Sequence, residues 1–80
     1  MDKKNRIARR YIREKSPAKM REFLELVDLP EDEYNVVWMH DVKRKDLLFI
    51  ADSMGLSERR IADLHRRALK KIVDTVEYMQ

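Results

Sequence analysis

Residues 45–72 read KDLLFIADSMGLSERRIADLHRRALKKI, and this stretch decides the fold. It contains two short helical patterns joined by Met54-Gly55-Leu56-Ser57, and Gly55 is the only glycine in the chain. A sharp turn between two helices needs a residue that tolerates positive φ, which glycine does without steric cost. Ala51, four residues earlier, is small enough to let two helices cross closely. The spacing therefore predicts a helix-turn-helix.

Apolar spacing predicts which faces of these two helices meet. The residues expected to point inward are Leu47, Ile50, Met54, Leu56, Ile61 and Leu64. If Ile61, Leu64 and Ala68 are buried, the α-helical period of about 3.6 residues means that another set of side chains points away from the core. That outward set comprises residues 58, 59, 62, 63 and 66. The second helix can then project from the surface, where it is able to lie in the major groove of DNA.

Length and composition narrow the class of protein. Eighty residues with 41% charged side chains and little glycine or proline indicate one small helical domain. Because cysteine is absent, a disulfide framework and a thiolate zinc site are both excluded. No apolar run approaches the roughly 20 residues that span a membrane. The basic stretch Lys3–Arg13 is not followed by an apolar signal core. We expect a cytoplasmic protein that does not associate with membranes.

Periodicity, caps and breakers together predict an all-α fold, a compact bundle of about five helices with no strand. The helices are expected near residues 3–14, 17–27, 31–43, 46–54 and 58–78. Ser16, Asp46 and Ser57 are predicted N-caps. Pro17 suits the first helical position, where its missing N–H costs nothing, and Pro30 breaks the second helix and begins the third.

Apolar stripes predict the rest of the core. On the first three helices the inward residues are Ile7, Ala8, Tyr11, Ile12, Met20, Phe23, Leu24, Val27, Tyr34, Val37 and Trp38. On the last helix the inward stripe continues through Ala68, Ile72, Val76 and Met79. Residues 73–79 either fold against the first two helices or offer a face to a partner.

Charge is arranged in blocks along the chain. Residues 1–15 carry 7 basic and 2 acidic side chains (+5), residues 16–41 carry 2 and 7 (−5), and residues 42–72 carry 9 and 4 (+5). Two interpretations remain open: solvated helix faces that attract one another, or two positive blocks that face one polyanion. The acidic run Glu31-Asp32-Glu33 is interpreted as the first turn of a helix, where negative charge meets the positive end of the dipole.

Leu29–Ile72 resembles region 4 of bacterial RNA polymerase sigma factors, the C-terminal region that reads promoters. The matching features are the opening Leu29-Pro30-Glu31, the segment Ile50–Ser57 (IADSMGLS) and the ending Arg66–Ile72 (RRALKKI). The resemblance covers 44 of the 80 residues. We therefore divide the single domain into an N-terminal helical extension (1–28), the sigma region 4-like motif (29–72) and a C-terminal helix extension (73–80).

The resemblance implies that the last helix, about residues 58–70, enters the major groove. The implied base-facing residues are Ser57, Glu58, Arg59, Ala62, Asp63 and Arg66. The implied contacts to the DNA backbone are Lys43, Arg44, Lys45, Arg60, Arg67, Lys70 and Lys71. Arg59 can bond a guanine, and Glu58 or Asp63 can accept from a cytosine amino group. Since this face is mixed in sign, affinity is expected from the surrounding basic residues, with a further basic contact from the first helix.

Few residues point to catalysis or metal binding. His40 and His65 lie on different predicted helices and, without cysteine, fall short of the three or four ligands of a zinc site. His65 is expected on the helix surface. No serine, histidine and carboxylate spacing indicates a nucleophile with its base. We therefore expect no enzyme activity, no metal and no cofactor.

Three functions remain open from the sequence. The first is a small transcription regulator that binds double-stranded DNA. One unit reads only a few base pairs, so useful specificity predicts either a homodimer or RNA polymerase as a partner. The second is a protein-interaction module that binds RNA polymerase or another protein through the same fold. The third is a DNA-recognition subunit for phage packaging or replication. The small size suggests a phage or mobile element as the source.

Overall fold

The computed structural model describes residues 3–79, with side chains described for residue 6 and residues 8–79. This part of the chain forms five α-helices and no strand. The helices are α1 (Lys3–Arg13), α2 (Pro17–Val27), α3 (Glu31–Val37), α4 (Leu47–Met54) and α5 (Glu58–Met79). A π-helical segment, Trp38–Val42, continues α3 directly. The predicted all-α class and the five helices are confirmed.

The helix starts follow the predicted capping chemistry. Three side chains accept a hydrogen bond from the backbone N–H three residues later: Ser16 (3.3 Å), Asp46 (2.8 Å) and Ser57 (3.1 Å). Each bond satisfies one of the N–H groups that the first turn of a helix leaves unpaired. Pro17 occupies the start of α2, and Glu31, Asp32 and Glu33 form the first turn of α3, as predicted.

The turn between α4 and α5 depends on Gly55. Its φ is 68°, in the left-handed region that the sequence predicted for this position. The carbonyl of Ala51 accepts from the N–H of Gly55 and, at 3.0 Å, from that of Leu56. These bonds end α4 and set the direction in which α5 leaves.

Buried apolar side chains form two clusters that meet along α5. The motif core joins α3, α4 and the start of α5: Val36, Ile50, Ala51, Ile61 and Leu64. The distal core joins α1, α2, α3 and the rest of α5: Ala8, Ile12, Met20, Phe23, Leu24, Val27, Val37, Ala68, Leu69, Ile72, Val73 and Val76. Val73 and Val76 share the distal core with residues of α1 and α2, so this part of α5 completes the bundle rather than standing free.

Some predicted inward residues lie elsewhere. Leu56 is exposed because it follows Gly55 in the turn, beyond the last residue of α4 that faces α5. Met79 is exposed because it ends α5 past the last buried residue, Val76. The side chain of Ile7 lies outside the described residues. Tyr11, Tyr34 and Trp38 are partly buried against the distal core.

The third helix differs from the predicted continuous helix over residues 31–43. After Val37 the backbone widens, and the N–H of Lys43 donates to the carbonyl of Trp38 at 3.0 Å, five residues back. Arg44 then takes a left-handed conformation, with φ of 61°, which ends the segment. Among the described residues no helix has the length and apolar character needed to cross a bilayer.

Candidate nucleic-acid interface

The six predicted base-facing residues lie together at the start of α5, and we call them the reading face. Glu58, Arg59, Ala62 and Arg66 are exposed, and Asp63 is half-buried. Five of the six, all except Glu58, line one shallow depression together with Arg60. Directly behind them, Ile61 and Leu64 are buried in the motif core. One side of the helix is therefore buried in the motif core, while the other is exposed to solvent.

Asp63 lies at the centre of the reading face and binds three arginines. Its carboxylate accepts hydrogen bonds from Nη1 of Arg60 at 3.3 Å and from Nη2 of Arg66, and it forms an ion pair with Nε of Arg67 at 3.2 Å. The partners lie three or four residues away, the spacing at which helical side chains meet. Because one carboxylate meets three guanidinium groups, the cluster carries a net charge of about +2. The repulsion of phosphates expected from Asp63 is thereby offset.

The basic loop, residues 43–45, is held in one conformation by the π-helical segment. The N–H of Lys45 donates to the carbonyl of Met39 at 2.9 Å, and Nδ1 of His40 donates to the carbonyl of Lys45 at 2.8 Å. Arg44 has positive φ, a conformation that costs a non-glycine residue roughly 1–2 kcal/mol and persists only where neighbours impose it. The side chains of this loop are exposed, as expected for contacts to the DNA backbone.

Helix α1 extends the basic surface from the loop to the reading face. Arg9 and Arg13 line a depression with Arg44 and Lys45. Arg9 also lines a second depression, which includes Ala62 and Arg66. The sequence predicted a basic contact from the first helix but did not identify its residues. Spacing within α1 places both arginines on the face opposite its apolar stripe, but it does not separate them from Arg6 and Arg10 on the same face.

The basic residues farther along α5 do not all join this surface. Lys71 donates through Nζ to both carboxylate oxygens of Glu33, at 2.9 and 3.1 Å. Glu33 is 5% exposed and belongs to α3, so Lys71 is turned towards that helix. Lys70 is exposed, and Arg67 is exposed but paired with Asp63. Of the predicted backbone contacts, Lys71 therefore has a separate structural role.

The two histidines are close together, although they lie on different elements. Their ring centroids are 4.8 Å apart, and Nε2 of His65 lies 2.7 Å from Oδ2 of Asp41. His65 is 7% exposed, so the prediction that it lies on the helix surface is wrong. The π-helical segment covers that side of α5, which a pattern within one helix does not reveal.

Comparisons with protein-family models, with curated proteins and with solved structures gave no significant match. The resemblance to sigma region 4 therefore stays a prediction from the residues of this chain. The structural features that bear on function are the reading face, the basic loop and the arginines of α1.

Proposed function

We propose that the protein is a small DNA-binding transcription regulator that inserts the N-terminal half of α5 into the major groove. The observation that carries the proposal is the reading face, which is open to solvent on a helix anchored by the motif core. A major groove about 12 Å wide admits one α-helix. The turn at Gly55 and the cap at Ser57 fix where this helix begins.

Positive charge beside the reading face supports the proposal. Arg44 and Lys45 on the basic loop adjoin Arg9 and Arg13 on α1, and this surface continues to Arg66. Side chains of this kind neutralise phosphates and set the position of a protein on the duplex without reading its sequence. In the acidic first turn of α3, Glu33 is directed inward by its bond to Lys71 and so lies away from this surface.

Sequence recognition falls mainly to Arg59 and Ala62. Arg59 is exposed and has no ion pair among the described residues, so its guanidinium is available for bidentate bonds to a guanine. The methyl group of Ala62 can contact a thymine methyl. Two such contacts specify few base pairs, so the proposal includes a second DNA-binding unit, supplied by a homodimer or by RNA polymerase.

A second candidate, a protein-interaction module, is favoured by α4. Leu48 and Phe49 are large apolar side chains that are 55% and 48% exposed. Neighbouring exposed apolar residues of this size are a common feature of protein-binding surfaces. In this alternative α4 binds RNA polymerase or another protein, and DNA contact is secondary.

The test is fluorescence anisotropy of a labelled random duplex, measured across salt concentrations, followed by selection of a preferred sequence. We expect log K to fall with log salt at a slope of about −0.9 per phosphate contact. Arg44→Ala should make the slope shallower by about one contact. Arg59→Ala should leave binding to random duplex nearly unchanged but weaken binding to the selected sequence by about 5- to 150-fold.

Lys19→Ala is the matched control for charge. Lys19 is an exposed basic residue on α2, which contributes nothing to the reading face or the basic loop. It should bind like the wild type at every salt concentration. If Arg44→Ala and Arg59→Ala also bind like the wild type, the proposed orientation on DNA is wrong. Absence of binding at about 50 mM salt, with capture of RNA polymerase through Leu48 and Phe49, would favour the interaction module.

A further inference from the structure

Three metal-binding groups meet where the π-helical segment packs against α5. They are one ring nitrogen of His40, one carboxylate oxygen of Asp41 and one ring nitrogen of His65, all within 4.8 Å of one another. His65 is buried, and the side chain of Asp41 is only 13% exposed. Two neutral imidazoles and one carboxylate are the ligand set of many zinc sites with three protein ligands.

The hydrogen bond of His40 leaves its second nitrogen ready to bind a metal. A backbone carbonyl can only accept, so Nδ1 of His40 must carry the proton that it donates to Lys45 at 2.8 Å. In the neutral ring, Nε2 then keeps a free lone pair. Histidine ligands usually donate their other N–H to a carbonyl or carboxylate in this way, which fixes the orientation of the ring.

The bond between His65 and Asp41 lies where a metal ion would be inserted. In the free protein Nε2 of His65 donates to Oδ2 of Asp41 at 2.7 Å. A divalent ion would take the place of that proton and bind both atoms, and the proton would move to Nδ1 so that the imidazole stays neutral. Ligands of a tetrahedral zinc ion lie roughly 3.3–3.6 Å apart, so these two atoms need to separate by less than about 1 Å.

The local backbone explains why neighbouring residues both reach His65. His40 and Asp41 are adjacent, and in a regular α-helix they would point about 100° apart. The wider π-helical turn changes this relation, and such turns are frequent at functional sites. Arg44, two residues after the segment, holds positive φ and closes the loop over His40.

Charge around the cluster selects the kind of metal. Arg9, Arg13 and Arg44 line the depression that exposes His40 and Asp41, together with the carboxylate of Asp46. These arginines disfavour ions such as Ca²⁺ and Mg²⁺, which are held mainly by several negatively charged oxygens. Imidazole nitrogens prefer zinc, copper or nickel, whose binding depends less on charge alone.

We propose that His40, Asp41 and His65 form a binding site for a divalent transition metal of the zinc class. The depression between α1 and the basic loop, which His40 and Asp41 line, gives the ion a path of entry. Bound metal joins the π-helical segment to α5 and so fixes the basic loop relative to the reading face. The site stands whether or not the protein binds DNA.

The test is titration of untagged, metal-free protein with Co²⁺, followed by visible absorption, and then competition with Zn²⁺. We expect one equivalent of Co²⁺ to give the intense d–d bands of a four-coordinate ion and Zn²⁺ to remove them. Zn²⁺ should also raise the Tm, since a ligand that binds only the native state stabilises it. His40→Ala should weaken Co²⁺ binding by at least about tenfold, because even the loss of an outer hydrogen-bonding partner costs that much.

Two further variants complete the test: one removes a second proposed ligand, and the other is a control. Asp41→Asn preserves a hydrogen bond to His65 but removes the anionic ligand, and it should weaken Co²⁺ binding as His40→Ala does. Asp52→Asn removes an exposed carboxylate at the end of α4 and should bind Co²⁺ like the wild type. Circular dichroism checks that each variant is folded. A wild type without d–d bands, or Co²⁺ binding that survives both His40→Ala and Asp41→Asn, would overturn the proposal.

Discussion

The two halves of α5 have the same helical period but different surroundings. In the first half, residues 58–66, the buried side chains are Ile61, Leu64 and His65, and the opposite side is the reading face. In the second half, residues 67–79, the buried side chains are Ala68, Leu69, Ile72, Val73 and Val76, packed beneath α1 and α2 as well as α3. A helix with a narrow apolar stripe packs against other helices on one side only, whereas a helix with a wide apolar stripe is surrounded by them. The first half is therefore available for recognition, and the second half supports the fold.

The same contrast appears in the polar residues. Arg60 and Arg66 of the first half meet Asp63 at the surface, where ion pairs contribute little to stability. Lys71, in the second half, meets a carboxylate that is almost fully buried on α3. Substitutions in the two halves should therefore affect different measurements, and the following variants test that separation.

Ile72→Ala should have the largest effect. Ile72 is 0% exposed in the distal core, and removing a buried isoleucine side chain costs about 2–5 kcal/mol. A domain of this size has a free energy of unfolding near the lower end of about 5–15 kcal/mol, so much of its stability would be lost. Urea unfolding followed by circular dichroism measures the change.

Arg59→Ala is the matched control in the first half. Arg59 is exposed and has no ion pair among the described residues, so its loss should change the free energy of unfolding by no more than about 0.5 kcal/mol. The folded fraction of Ile72→Ala should bind duplex DNA with the wild-type Kd. Equal destabilisation by the two variants would show that the halves of α5 are not distinct in this way.

Much of this division could be predicted from local sequence. Gly55, Ser57 and the spacing of Ile61 and Leu64 identify the start of α5 and its open face, because turns, caps and helical period depend on neighbouring residues. The burial of Leu69 and Val73 could not be predicted in the same way. It depends on which elements pack against α5, and the distal core draws its other residues from α1, α2 and α3.

The candidate site likewise contains some contacts that local sequence predicts and others that it does not. The grouping of Asp63 with Arg60, Arg66 and Arg67 could have been found from the i,i+3 and i,i+4 spacing alone. The pairing of Glu33 with Lys71 joins residues 38 positions apart. The contact of His40 with His65 joins the π-helical segment to α5, and no local signal in residues 38–42 distinguishes that segment from an α-helix. Both of these contacts depend on long-range packing, which local sequence does not determine.

Lys71→Ala should have the second largest effect. The substitution leaves the buried carboxylate of Glu33 without its partner, which costs about 1–3 kcal/mol. Lys70→Ala is the matched control, because Lys70 is the adjacent exposed lysine of the same helix, and it should stay within about 0.5 kcal/mol of the wild type. Denaturant midpoints of the two variants give the comparison.

The same pair of variants sharpens the assignment of DNA contacts. Lys71→Ala should leave the salt dependence of DNA binding unchanged, since its Nζ is bound to Glu33. If Lys71→Ala is as stable as the wild type but its salt slope is shallower, Lys71 leaves Glu33 to meet a phosphate. The original prediction of a backbone contact at this residue would then be correct.

Asp63→Asn should have a smaller effect on stability than Ile72→Ala or Lys71→Ala, and a measurable effect on DNA binding. The ion pairs of Asp63 are mostly exposed on the arginine side, so their loss should cost no more than about 1 kcal/mol. Removing the negative charge frees three arginines beside the phosphates, and affinity for random duplex should rise several-fold. Anisotropy at two salt concentrations measures this rise.

A loss of affinity confined to the selected sequence would have a different cause, since a carboxylate that accepts from a cytosine amino group reads a base. Asp63 would then belong to recognition itself, and the arginines around it would serve to hold it in place.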